Sequence, residues 1–165
     1  MNLTELAAEL GDRLLRLNQQ VTTAESCTGG GIAEAITRIA GSSAWFEVGF
    51  VTYSNAQKSA LLGVPTRLFD EVGAVSQDVV EVMARGAQQR SGARFAVAVS
   101  GVAGPGGGSP EKPVGTVWLA WAAADQLFAR RFIFAGDRQA VREQSVAAAL
   151  VGLIRLMDGE NPLQG

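Results

Sequence analysis

The stretch Phe95-Ala96-Val97-Ala98-Val99 is the feature that most restricts the fold of this chain. A strand with one face in water alternates apolar and polar side chains, whereas this stretch is apolar on both faces. Both faces of such a strand must be covered by other elements. Helix-like and strand-like segments alternate along the rest of the chain, which favours an α/β protein. The sequence therefore predicts a three-layer α/β/α sandwich around a mostly parallel, mixed sheet of about five strands.

Hydrophobic spacing and turn residues predict the individual elements. Leucines at helical spacing indicate an amphipathic helix over residues 3–18, and a final helix begins at Asp137 and runs to about Met157. The last two strands are joined by a short polar turn, so we expect them to be antiparallel. Between the two helices the pattern predicts five strands, at residues 21–24, 45–53, 95–99, 117–123 and 127–134. It also predicts four helices: one over residues 32–39, one capped by Ser54 or Asn55 that runs to Leu62, a short one that starts at Pro65-Thr66, and one capped by Ser76.

Length and charge limit the domain organisation and the partners. The 165 residues suit one domain over 1–165, with a tail at 158–165 that we expect to be frayed. The net charge of -2 and a pI of about 5.2 argue against a nucleic-acid partner, because binding to a phosphate backbone needs clustered positive charge. No apolar run approaches the ~18 residues of a membrane span, and no signal peptide is readable.

Missing residue types exclude whole classes of chemistry. The chain has no histidine, which removes the Ser-His-Asp and Cys-His mechanisms and His-ligated zinc. It has one cysteine, Cys27, so internal disulfides and Cys-X-X-Cys redox pairs are excluded. We therefore expect a reducing, cytoplasmic location.

The scarcity of lysine points to a possible base. Twelve of the 14 basic residues are arginine, and only Lys58 and Lys112 are lysine. Arginine can replace lysine as a surface charge but cannot accept a proton at a working pH. Lys58 follows a predicted strand and is close in sequence to Tyr53, the only tyrosine, and to Ser42-Ser43. A hydrolase without histidine would need such a Ser-Lys arrangement, although composition alone favours two leftover surface lysines.

Three further patterns match known motifs only superficially. Ser109-Pro110-Glu111-Lys112 has the S-x-x-K spacing of penicillin-binding enzymes, but Pro113 disfavours the helix that the motif needs. Tyr53 and Lys58 are five residues apart, not the four of short-chain dehydrogenases. Neither a P-loop nor a dinucleotide-binding glycine motif is present.

Two glycine-rich loops follow predicted strands, where ligands of α/β sheets bind. The loops are Ser26–Gly31 and Ser100–Gly108, and their backbone N–H groups favour an anionic ligand, although an ordinary tight loop has the same composition. Arg138 and Arg142 open the last helix on one face and suit an anion clamp or a solvated surface. Cys27 is a weaker nucleophile candidate than Ser43, because no histidine is available to pair with it.

Taken together, several ordered blocks resemble the CinA C-terminal domain family, the nicotinamide-nucleotide amidohydrolases. The resemblance runs over residues 20–145 and does not reach the N-terminal domain of long members. It rests on Thr22–Gly30, Gly41–Phe46, Gly49–Asn55 with Lys58, Gly73–Ser76, Ser100–Pro105, Lys112–Trp118 and Gly136–Arg138.

This resemblance implies hydrolysis of the amide of nicotinamide mononucleotide, a small-molecule substrate, without metal or cofactor. It places the family's serine nucleophile on Ser43, its tyrosine on Tyr53 and its lysine on Lys58. The expected substrate-binding residues are Ser26, Thr28, Gly29, Gly30, Asn55, Ser100, Gly101, Gly104, Arg138 and Arg142.

The resulting mechanistic hypothesis is a Ser-Lys amidase assisted by tyrosine. Neutral Lys58, directly or through Tyr53, takes the proton from Ser43, which attacks the carboxamide carbon. Glu25 either faces the pyridinium ring or anchors its own loop. Two alternatives stay open: a non-catalytic nucleotide-binding module, and a Ser-Lys amidase for another small amide. A homo-oligomer is possible, and the sequence does not locate its interface.

Overall fold

The computed structural model describes residues 1–164 and shows strands and helices close to the expected boundaries. The strands are β1 (Val21–Glu25), β2 (Phe46–Val51), β3 (Phe95–Gly101), β4 (Thr116–Ala123) and β5 (Gln126–Ile133). The helices are α1 (Leu3–Leu17), α2 (Gly31–Thr37), α3 (Asn55–Leu62), α4 (Arg67–Glu71), α5 (Gln77–Ser91) and α6 (Arg138–Met157), with a 3-10 turn at Ser42–Ala44.

The five strands form one mixed sheet in the order β2-β1-β3-β4-β5. β1 pairs in parallel with both β2 and β3, while β4 is antiparallel to β3 and to β5. Four strands therefore run in one direction and β4 alone runs in the other. The predicted mostly parallel sheet and the predicted antiparallel final hairpin are both confirmed.

The sheet lies between two layers of helices, which confirms the predicted three-layer architecture. One hydrophobic cluster joins α1, α2 and α6 to one face of the sheet, and a second joins α3, α4 and α5 to the other. β3 is buried along almost its whole length because it contributes to both clusters: Val97 and Val99 face the first, and Ala96 and Ala98 face the second.

The face covered by α3 and α5 is made of small side chains. Ala96 and Ala98 on β3 and Ala120 and Ala122 on β4 contribute only a methyl group each, so α5 lies close to the sheet. Gly86 in α5 continues this close packing toward α3, since a Cβ at Gly86 would overlap the backbone of Leu62. The helix that carries Lys58 is thus held tightly against its neighbours.

Polar caps fix the starts of the helices near one edge of the sheet. Ser54 caps α3 by accepting from Gln57 N, Ser76 caps α5, and Asp137 caps α6 by accepting from Ala140 N. Of the two expected caps for α3, Ser54 is the one used. The starts of α2 and α3 follow the carboxyl ends of β1 and β2, which is where ligands of such sheets bind.

The end of the chain packs in part against the first helix. Asp158, just after α6, forms an ion pair with Arg13 at 2.8 Å. Gly165, the last residue of the tail expected to be frayed, lies outside the described residues. Within residues 1–164, no helix is both long and apolar enough to cross a membrane.

Candidate active site

Three hydroxyl residues lie side by side where the parallel strands end. Glu25 of β1 pairs with Val51 of β2 and Val99 of β3, so the next residues on the three segments are Ser26, Thr52 and Ser100. Backbone bonds continue the register, from Thr52 N to Glu25 O at 2.9 Å and from Ser26 N to Val99 O at 3.1 Å. Neighbouring strands are about 4.8 Å apart. The side chains are almost fully buried, with 8%, 0% and 2% of Ser26, Thr52 and Ser100 exposed.

Lys58 brings a buried amine to this row of hydroxyls. Its Nζ lies 3.0 Å from Ser26 Oγ and donates to the Thr52 carbonyl oxygen at 3.0 Å. The residue is only 2% exposed, and none of the ion pairs formed within residues 1–164 includes it. Burial lowers the pKa of Lys58 below its ordinary value, because the charged ammonium loses its hydration.

A neutral Lys58 is oriented to act as a base toward Ser26. A neutral amine has two N–H groups and one lone pair. When one N–H donates to the Thr52 carbonyl, the lone pair is free to accept the proton of the Ser26 hydroxyl. Both requirements for a nucleophile and base pair are met: the two atoms are within hydrogen-bond reach, and the base has a lowered pKa.

Within one chain, Ser43 lies at the opposite edge of the sheet from Lys58, and the catalytic role expected for Ser43 stays a prediction. The turn Ser42–Ala44 precedes β2, while Lys58 follows it. β2 runs from Phe46 to Val51, and at ~3.3 Å per residue it separates the two edges by about 17 Å. Ser43 is exposed and forms no side-chain hydrogen bond within the described chain.

Tyr53 lies at the carboxyl edge of the sheet, near Lys58, but its hydroxyl bonds to neither Lys58 nor Ser26. Its side chain is 59% exposed, and its hydroxyl oxygen accepts a hydrogen bond from Arg138 Nη2 at 2.7 Å. The expected position between serine and lysine is therefore not found. The hydroxyl instead links the β2–α3 connection to the start of α6.

The loop after β1 holds Ser26 through the buried carboxylate of Glu25. Glu25 accepts from Thr28 Oγ1 at 2.6 Å and from the amides of Ile32 and Ala33 at the start of α2. Of the two roles considered for Glu25, anchoring the loop is the one observed. Gly29 and Gly30 follow with φ values of +59° and +98°, which glycine adopts without a steric penalty.

The same loop leaves backbone donors beside Ser26. The amides of Cys27 and Thr28 donate to no other residue within residues 1–164. Cys27 itself is buried, and this burial raises the pKa of its thiol to about 11. The thiol is therefore protonated near neutral pH and is not an activated nucleophile.

Arg138 and Arg142 lie on one wall of a cleft, which we call the arginine cleft, with a volume of about 730 Å³. Ala103, Pro105 and Val114 from the β3–β4 loop line it as well. Arg138 Nη1 donates to the Gly104 carbonyl at 2.9 Å, and Arg142 Nη2 donates to the Thr28 carbonyl at 3.1 Å. The two arginines thus join the arginine cleft to both glycine-rich loops.

The remaining expected site residues also lie at this edge. Gly101 ends β3 beside Ser100, and Asn55 is the exposed first residue of α3. The sequence reasoning missed Thr52, whose carbonyl orients Lys58. It named Ser26 as a substrate-binding residue and did not foresee its contact with Lys58. The sequence pattern could have indicated this contact, since Ser26 and Lys58 both follow strand ends whereas Ser43 precedes a strand.

No group of three or more metal-ligating side chains occurs within the described residues.

Known proteins match both the sequence and the fold. The family model described as CinA C-terminal domain matches residues 3–157. Two similar proteins are named nicotinamide-nucleotide amidohydrolase PncC. The one from Pseudomonas putida is 71% identical over 93% of this chain and 96% of its own length. The one from Escherichia coli K12 is 54% identical over 90% of each.

Solved structures agree with these sequence matches. The competence damage-inducible protein A of Klebsiella pneumoniae is 39% identical and superposes with a TM-score of 0.93, covering 96% of this chain and 98% of its own. The competence/damage inducible protein CihA of Agrobacterium tumefaciens is 47% identical with a TM-score of 0.92, covering 94% and 96%. The sequence match, the shared fold and the ordered blocks together show that this chain belongs to the CinA C-terminal domain family.

Proposed function

We propose that this chain hydrolyses the carboxamide of nicotinamide mononucleotide to nicotinate mononucleotide and ammonia, with Ser26 as the nucleophile and Lys58 as the base. The names of the Pseudomonas and Escherichia relatives support the amidohydrolase activity and its nucleotide substrate. The observation that carries the mechanism is the buried Lys58 Nζ, 3.0 Å from Ser26 Oγ.

Acylation begins with proton transfer from Ser26 to Lys58. As the Oγ–H bond breaks, Oγ forms a bond to the carboxamide carbon, and the carbonyl oxygen becomes an oxyanion. The free amides of Cys27 and Thr28 supply N–H donors beside Ser26 for this charge. One such donor is worth about 3 kcal/mol in the transition state.

The tetrahedral intermediate then collapses and releases ammonia. Protonated Lys58 gives its proton to the departing nitrogen, the C–N bond breaks, and a nicotinoyl ester of Ser26 is left. Lys58 is neutral again and accepts a proton from a water molecule, which attacks the ester carbon. Return of that proton to Ser26 Oγ releases the carboxylic acid, which loses its remaining proton to solvent to give nicotinate mononucleotide. Lys58 thus acts as base and as acid in each half-reaction.

The arginine cleft suits the phosphate of the nucleotide. Arg138 and Arg142 bring two guanidinium groups to one wall, and charge-assisted bonds to phosphate are among the strongest in proteins. Ser100, Gly101, Asn55 and the Thr28–Gly30 segment lie at the same carboxyl edge of the sheet as Ser26, which supports their roles in binding the substrate. Binding the phosphate at a distance from Ser26 would orient the amide for attack.

Ammonia release from three amides tests this function. We expect nicotinamide mononucleotide to have a kcat/KM about 100-fold above those of nicotinamide riboside and nicotinamide, because the riboside and the free base lack the phosphate. A chain that binds the nucleotide without releasing ammonia would be the non-catalytic module. Equal or higher rates with another small amide would indicate a different substrate for the same Ser-Lys pair.

Two further proposals concern the setting of the enzyme. We place it in the cytoplasm, because it has one buried cysteine and no helix suited to crossing a membrane within residues 1–164. A homo-oligomer is the other proposal. β2 is an edge strand with the exposed apolar residues Val48 and Val51, and light scattering would measure the mass in solution.

A further inference from the structure

The second lysine of the chain, Lys112, ties two loops together outside the serine and lysine pair. It lies in the β3–β4 loop (residues 102–115), and its Nζ donates to the Val72 carbonyl at 2.5 Å. Val72 follows α4 and belongs to the turn before α5. The Lys112 side chain is half-buried and takes part in none of the ion pairs formed by residues 1–164. Its role therefore depends on this contact and not on pairing with a carboxylate.

The space around the ammonium explains why this basic residue is lysine. Gly73 adopts φ of +79°, and a Cβ there would lie 3.1 Å from Lys112 Nζ. The compact ammonium fits above a residue without a side chain. A guanidinium is planar and larger, so arginine, which the chain uses at twelve other positions, would displace one of the two loops.

Hydrogen bonds between residues close in sequence restrict the backbone of residues 109–112. Ser109 N donates to Lys112 O at 2.9 Å, and Lys112 N donates to Ser109 Oγ at 3.1 Å. At the base of the loop, Val102 N bonds to Thr116 O and Gly115 N bonds to Val102 O. A tether at Lys112 therefore restrains the rest of the loop.

The restraint reaches the arginine cleft through Val114. This side chain packs so closely on Gly104 that a Cβ at Gly104 would overlap it. The Gly104 carbonyl in turn accepts from Arg138 Nη1 at 2.9 Å. Val114 and Arg138 both line the arginine cleft, so the position of one wall depends on the loop that Lys112 holds.

We propose that Lys112 is a positioning residue for substrate binding: by holding the β3–β4 loop on the turn before α5, it fixes Gly104 and thereby directs Arg138 toward the phosphate of the substrate. This inference rests on the proposed function for the identity of the ligand. Lys112 acts through Gly104 and Arg138 and does not itself contact the reacting atoms.

Kinetics of Lys112→Met and Lys112→Arg test the proposal, with Arg131→Met as the matched control. Arg131 Nη2 donates to the Glu111 carbonyl at 3.0 Å, so it tethers the adjacent residue from β5 on an exposed surface. For both Lys112 variants we expect KM for nicotinamide mononucleotide to rise about tenfold, with kcat within about twofold of the parent. KM for nicotinamide riboside, which lacks the phosphate, should change less than about twofold, and Arg131→Met should match the parent for both substrates.

Equal rises in KM for nucleotide and riboside, or an equal effect of Arg131→Met, would overturn the proposal in favour of a general stabilisation of the loop. Hydrogen exchange of the amides in residues 102–114 separates this result from a failure of the proposed function. If the parent chain releases no ammonia, faster exchange in Lys112→Met than in Arg131→Met still supports the tether. Unchanged exchange overturns it.

Discussion

Two serine-containing turns in this protein have different surroundings. Ser26 and Ser43 lie at opposite edges of the same sheet. Ser26 follows β1 and has a buried amine 3.0 Å away, whereas Ser43 precedes β2 and is exposed with no side-chain partner. A serine hydroxyl is a weak nucleophile until a base activates it. The direction of the neighbouring strand therefore decides which of the two serines lies beside Lys58 within one chain.

Exchanging each serine for alanine tests this contrast most directly. We expect Ser26→Ala to lower kcat for nicotinamide mononucleotide by about 10⁴-fold or more, since the nucleophile is lost. Ser43→Ala should stay within about twofold, because its side chain is exposed and forms no hydrogen bond within residues 1–164. Steady-state ammonia release measures both. Full activity of Ser26→Ala together with loss in Ser43→Ala would reverse the assignment.

Replacing Lys58 tests the base at the reactive edge. Lys58→Met keeps a long apolar stem and Lys58→Arg keeps the charge, but neither can accept a proton from Ser26. General-base catalysis contributes about 10² to 10⁴, so we expect both variants to lose about 10³-fold in kcat. A circular-dichroism melt checks folding. An active Lys58→Arg variant would show that Ser26 needs a positive charge nearby and not a base.

Tyr53→Phe tests whether the tyrosine hydroxyl takes part in proton transfer or only supports Arg138. The Tyr53 hydroxyl is bonded to Arg138 and not to Ser26 or Lys58, so removing it should leave the proton transfer intact. We expect kcat to fall by less than about tenfold and KM for the nucleotide to rise by a few-fold, because Arg138 loses one partner. A fall in kcat as large as that of Lys58→Met would mean that the tyrosine relays the proton.

The smallest expected effect is a difference in the pH dependence of stability. The pKa of Lys58 is lowered by burial, so below the ~10.4 of an unfolded lysine the unfolded chain binds more protons at this residue than the folded chain. Its contribution makes the free energy of unfolding rise with pH between the folded pKa and that value.

Denaturant titrations of the parent and Lys58→Met at several pH values measure this slope. Cys27 contributes in the opposite direction at alkaline pH, because burial raises its folded pKa, and this main cause is the same in both proteins, so most of the Cys27 contribution cancels in the difference. We expect the rise attributable to Lys58 to be missing from the variant. Parallel curves for the two proteins would show that Lys58 is not held neutral. In the parent, kcat/KM should also fall as pH decreases below the lowered pKa.

Much of the fold followed from the sequence because burial and caps leave local signals. The doubly apolar 95–99 stretch indicated two helical layers, and Ser76 and Asp137 marked helix starts that the structure confirms. The edge with glycine-rich loops was also predictable, since ligand sites follow the carboxyl ends of strands. The pairing of side chains was not, because Ser26 and Lys58 are 32 residues apart and meet only through the register of β1 with β2.

Gly86 has a consequence for how this protein tolerates change. It does not line the arginine cleft and lies on a different helix from Lys58, yet the lack of a Cβ there allows the backbone of Leu62 to approach α5. Leu62 ends the helix whose second turn begins with Lys58. A methyl group added at Gly86 would push α3 outward and lengthen the distance between Lys58 Nζ and Ser26 Oγ. The pair is therefore vulnerable to a substitution on the far side of its supporting helix, at a position that a survey of the active site alone would pass over.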